Sequence, residues 1–132
     1  FLFNDNAQQF LNKNDGCPGG GNAIVRPLRL TGDACGFPTG ILGHGGFWGL
    51  EQRVDANGAS GVFAQDFKTA KQLIDAAFDE AKHLLRDNLR KTRVVYCAER
   101  PVAGSRIGTG IFDVAPDVVT YITQKIVGLQ AL

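Results

Sequence analysis

The side chains best suited to chemistry lie in one short stretch. From Pro38 to Val54 the chain reads PTGILGHGGFWGLEQRV, which holds five glycines, one of the two histidines and the only tryptophan. An imidazole titrates near neutral pH and can take or give a proton in a reaction. His44, set between Gly43 and Gly45-Gly46, is therefore the candidate general base, with Glu51 as its acid–base partner and Arg93 or Arg106 as the cation for an anionic group. As a binding site, the same stretch offers Thr39 and His44 as polar contacts and Trp48 as a pocket wall, with glycines that allow close approach. The simplest account needs no ligand: glycines suit a turn that leads into a core strand. In an extended chain Trp48 and Glu51 take opposite faces, so His44 reaches Glu51 only across a bend.

The cysteines and remaining polar groups carry weaker signals. Cys17 and Cys35 sit among glycine, proline and aspartate, whereas Cys97 falls in the apolar run VVYCA. The expected pairing is a Cys17–Cys35 disulfide with Cys97 buried; three reduced thiols are the alternative, because spacing does not prove pairing. His83 lies four residues after Asp79 in a helical pattern, where such a pair stabilises the helix surface by a few tenths of a kcal/mol. No HExxH, CxxC, GxSxG, GxGxxG or GK[ST] pattern occurs, so no metal or cofactor is expected. Lys82, Arg86, Arg90, Lys91 and Arg93 form the one basic cluster, but Asp79, Glu80 and Asp87 interleave with it, and it reads as a solvated helix end.

Several elements must position these residues. FLFNDNAQQFLNKNDG reads as a short helix capped at Asn4 or Asp5 and stopped at Gly16. CPGGGN is a loop, and AIVRPLRLTG has strand composition with Pro27 confining it to a sheet edge. Asn57-Gly58 predicts a tight reversal joining strands between Phe47 and Gln65. Phe67, Ala70, Leu73, Ile74, Ala77, Phe78, Ala81, Leu84, Leu85 and Leu89 recur at helical spacing and give the strongest signal, a long helix from Asp66. TRVVYCA and SRIGTGIFD have strand composition around an ERPVAG turn. A last helix starts near Pro116 and carries Val118, Val119, Ile122, Ile126 and Leu129 on one stripe.

This order predicts a single α+β domain over 1–132. It is a two-layer sandwich in which an antiparallel or mixed sheet of about five strands is covered by the long central helix and the C-terminal helix. A chain of 132 residues, 44% apolar and 20% charged, has the composition of a folded domain. A net charge of +1 provides no global field for nucleic acid, and no apolar run reaches the length of a membrane span. With no methionine, Phe1 reads as the start of a processed chain or of a piece of a longer one.

The expected function is a small soluble binding or interaction domain, processed and extracellular, with a glycine-rich recognition loop at 38–49 for a protein or small-molecule ligand. Organellar and cytoplasmic settings are the alternatives. Two rival readings are a small enzyme using His44 and Glu51, and a subunit of a larger assembly, an oligomer in which the apolar tail VGLQAL covers a neighbour.

Overall fold

Two four-residue strands form the centre of the structure. The computed structural model describes residues 1–14, 16–19, 21–39, 67–87, 93–109, 114 and 116–132, apart from the side chains of Gln8, Phe67, Lys68 and Thr69. β1 (Leu2–Asp5) and β2 (Cys35–Pro38) pair in parallel, with Leu2 opposite Cys35 and Asp5 opposite Pro38. Parallel partners need a long crossover. The crossover contains a short helix α1 (Ala7–Leu11) and a nine-residue 3-10 helix (Gly21–Arg29), and a turn through Gly32, at φ 77°, leads into β2. Two longer helices follow, α2 (Phe67–Asp87) and α3 (Pro116–Gln130).

This architecture corrects the expected sandwich of about five antiparallel or mixed strands. The described residues hold two parallel strands in one small sheet, together with four helices. The opening helix gives its first residues to β1, and Asn6 rather than Asn4 or Asp5 caps α1, accepting from the Gln9 backbone N–H. Residues 21–29 wind into the 3-10 helix instead of an edge strand. Ala23, Arg26 and Arg29, all buried, recur every third residue, which is the period of that helix and places them on one face. Pro27 fits because its fixed φ matches the 3-10 value. Among the described residues, the two strands expected on either side of the ERPVAG turn hold one antiparallel bridge, Ala98 with Ile107. The hairpin over Phe47–Gln65 lies outside the described residues.

The sheet is covered on both faces, as parallel strands require. Leu2, Cys35 and Phe37 face the α2–α3 pair, and the Phe37 ring stacks on Phe78 with centroids 6.3 Å apart. That side of the core takes Ile74, Ala77, Phe78 and Ala81 from α2 and the expected stripe Val118, Val119, Ile122, Ile126 and Leu129 from α3. On the opposite face Phe3 packs with Ala23 and Ala34 beneath the 3-10 helix. Gly36 is needed there because a Cβ at that position would stand 2.6 Å from Asp5 Oδ2 and 2.8 Å from Phe3 Cε2. The outer edge of β1 is closed by two acceptors from distant parts of the chain. Leu2 N–H donates to Val95 O at 2.7 Å, and Asn4 N–H donates to Asn22 Oδ1 at 2.9 Å.

Candidate functional site

Two buried arginines fix the walls from which a site can be built. Arg26 Nη2 donates to Asp5 Oδ1 at 2.7 Å, and Arg26 Nη1 donates to Cys17 O at 2.9 Å. The side chains are 3% and 0% exposed, yet Asp5 Oδ2 and Arg26 Nε have no hydrogen-bond partner. Burial pushes the Asp5 carboxyl above its ordinary value, against the pull of Arg26. Arg29 grips both oxygens of Glu80 on α2, at 3.1 and 2.9 Å, donates to Phe10 O at 2.8 Å and lies over the Phe10 ring. This two-toothed contact ties the 3-10 helix and α1 to α2.

Cys35 lies at the end of the same array. Its Sγ is 3.2 Å from both Ala77 O and Glu80 Oε2, so the thiol has acceptors on α2. Burial and the neighbouring Glu80 carboxylate push the thiol far above its usual range, so it stays a neutral S–H. No disulfide joins it to Cys17, which is exposed; Cys97, expected in the core, is exposed as well. With that bridge absent, the oxidising compartment it implied loses its structural support.

Beside Cys35 opens the cleft that forms the candidate site. The space it encloses is small, about 40 Å³. Leu2, Cys35 and Ala81 form the floor, Leu84, Leu85, Val94 and Leu129 the walls, and Phe1, Asp33 and Arg93 stand among the lining residues. The walls are held in place by backbone. Phe1 N donates to Asp33 O and Cys35 N–H donates to Phe1 O, both at 2.9 Å, while Gln130 Nε2 holds Val94 O at 3.3 Å. Such a cleft exists before any ligand arrives, which lowers the ordering cost of binding.

The charges around the cleft are unevenly satisfied. Glu80 is matched by Arg29, and Asp33 Oδ2 accepts from Thr31 Oγ1 at 2.8 Å. Arg93 is exposed and makes no ion pair among the described residues. The cleft therefore combines an apolar interior with a rim that carries both the Arg93 guanidinium and the Asp33 carboxylate.

The residues singled out in the sequence do not assemble into one site. Thr39 is buried at the end of β2, where its Oγ1 donates to Asp5 O at 3.2 Å. Only Arg93 lines the cleft, together with Cys35 at the start of β2, whereas Thr39 follows the far end of that strand. Arg106 and His83 are exposed and do not line it. His44, Trp48 and Glu51 lie outside the described residues. Leu84, Leu85 and Leu129 were legible as apolar helix positions, but no sequence signal separates a half-open cleft wall from a closed core. The buried pairs Asp5–Arg26 and Arg29–Glu80 were missed because they join elements distant in sequence. No protein-family model, curated protein or solved structure matches the chain.

Proposed function

We propose that this protein is a small binding module and that its ligand seat is the cleft beside Cys35. One observation carries the reading. A preformed, largely apolar cleft opens beside Cys35, lined by Leu84, Leu85, Val94 and Leu129 and braced by the hydrogen bonds of Phe1 and Cys35. The seat is built between backbone-braced walls from both ends of the chain, so occupancy would draw β1, α2 and α3 together. The glycine-rich segment 38–49 stays a candidate recognition loop on sequence grounds.

Methyl NMR of the whole chain, titrated with 1-hexanol as a neutral apolar probe, tests the seat. The expected outcome is saturable shifts at Leu84, Leu85, Val94 and Leu129, with the fully buried Ile74 and Ile122 much less affected. Non-saturable shifts scattered over the surface would refute it.

A further inference from the structure

We infer that the 3-10 helix presents an outward apolar stripe on which a second copy of this chain docks, giving a weak, concentration-dependent dimer. The stripe shares no residue with the cleft lining, so the dimer and the ligand seat stand or fall separately.

The helix is turned with its arginines inward. Three residues per turn divide it into three faces. Ala23, Arg26 and Arg29 form the buried face, Val25 and Leu28 are half-buried against the Phe3 cluster, and Ile24, Pro27 and Leu30 make the third. Leu30 continues the same winding, since its N–H donates to Pro27 O at 3.2 Å. Ile24 is 67% exposed and Leu30 56%, about 12 Å apart along the helix. An amphipathic helix ordinarily buries its apolar side. Here the arginines fix the rotation: Arg26 reaches Asp5 and Cys17 O, and Arg29 reaches Glu80 and Phe10 O. Turning Ile24 and Leu30 inward would pull both guanidinium groups off these partners. The apolar stripe therefore stays outside in a single copy and leaves water only against a partner.

Charge selects that partner. Ile24, Val25, Pro27, Leu28 and Leu30 carry no charge, so a strongly acidic or basic partner finds no counter-ion on them. An anionic membrane is held by lysines and arginines on the polar side of an interfacial helix, and both arginines of this helix are buried. The same uncharged stripe on a second copy meets it without repulsion, and a net charge of +1 adds little between copies. Packed about a two-fold axis, the two stripes cover each other. A contact this short falls below the roughly 800 Å² per partner of a stable interface, which makes the dimer weak.

The test is sedimentation equilibrium of the whole chain from low micromolar to millimolar concentration, with methyl NMR over the same range. The average mass is expected to rise from the 14.2 kDa of one chain toward twice that value, with shifts at Ile24 and Leu30 and none at the buried Ile74 and Ile122. Ile24→Lys and Ile24→Glu should each weaken association at least about tenfold, since like charges then meet across the axis. An equimolar mixture of the two should restore it. Both changes sit on an exposed side chain, and a native urea midpoint at micromolar concentration confirms the fold. Val102→Lys, in the exposed ERPVAG turn, should leave association unchanged.

A chain that stays monomeric to millimolar concentration overturns the dimer; shifts at Ile24 on adding phosphatidylcholine vesicles to that monomer would give the stripe to a lipid surface instead. Association that survives in both Ile24 variants, or is lost in Val102→Lys, puts the contact elsewhere and overturns the stripe.

Discussion

The buried Asp5–Arg26 pair makes the sharpest quantitative prediction. Replacing Arg26 with Met keeps the bulk beside Phe3 but leaves the Asp5 carboxylate, 0% exposed, without its hydrogen-bonded counter-charge and with only the weaker field of Arg29. A carboxylate in that position takes up a proton rather than stay charged. Holding a proton at pH 7 on a group whose unfolded pKa is about 4 costs about 4 kcal/mol, which sits within the range found when one partner of a buried pair is removed. For a chain of this length that corresponds to a fall in Tm of about 16 °C.

The sign of the pH dependence follows. In Arg26→Met the folded state holds one proton more than the unfolded state between about pH 5 and 7, so stability rises as pH falls, by about 1.4 kcal/mol per unit. Asp5→Asn gives the contrast. It leaves Arg26 buried and charged, and a guanidinium cannot give up its proton, so the loss is similar or larger with no recovery in acid. The double variant Asp5→Leu/Arg26→Met should regain most of the loss, since an apolar pair satisfies the site without charge and the native pair already leaves Asp5 Oδ2 and Arg26 Nε unpartnered. Urea unfolding at pH 7, 6 and 5 measures all three. Losses below about 1 kcal/mol for both single variants, or an Arg26→Met loss that ignores pH, would refute the reasoning.

Three further expectations test the remaining framework. Gly36→Ala should destabilise by about 2–3 kcal/mol on urea unfolding, because the new methyl meets Asp5 Oδ2 at 2.6 Å and Phe3 Cε2 at 2.8 Å in a fully packed layer. Iodoacetamide applied to the native chain should modify Cys17 and Cys97 within minutes and Cys35 only after unfolding, as mass spectrometry of the peptides will report. Partial burial opposes ionisation of Asp75 on α2, but hydrogen bonds from Tyr121 and Lys125 on α3 outweigh it and hold the carboxyl below its ordinary value. Its stabilising effect is therefore whole above about pH 4 and fades as pH falls further, so the stability gap between the native chain and Asp75→Asn should close in acid.

The two long helices were legible because their apolar residues recur over about three or more turns, and the α3 stripe from Val118 to Leu129 is buried as its spacing required. The strands were not. Leu2–Asp5 and Cys35–Pro38 are four residues each, buried on both faces, and so lack the alternation that marks a half-exposed strand. Cys35, Gly36 and Pro38 also look like loop residues, although Pro38 ends the strand and Gly36 makes room for Asp5. The segment 21–29 misled through composition: Ile24, Val25 and Leu28 favour strands, but the buried face belongs to Ala23 and two arginines. An arginine in an interior cannot be foreseen without its partner, and Asp5 and Glu80 lie 21 and 51 residues away from Arg26 and Arg29 respectively. Of the cleft's lining, Arg93 was singled out in the sequence, for an enzyme site with His44 and Glu51, whereas the cleft around it depends on how β1, α2 and α3 meet.

The double closure of the β1 edge also sets an order of events during synthesis. Asn4 finds its acceptor in Asn22, which follows within about 1–4 s of translation, at about 5–20 residues per second. Leu2 must wait for Val95, 93 residues later, or about 5–20 s. For that interval a ribosome-bound chain carries the apolar LF pair beside an unfinished strand edge, the kind of surface that chaperones hold and that neighbouring nascent chains can seize. Asn22 shortens the exposed edge to a single N–H, so an Asn22→Ala chain should show its defect first in the yield of newly made protein.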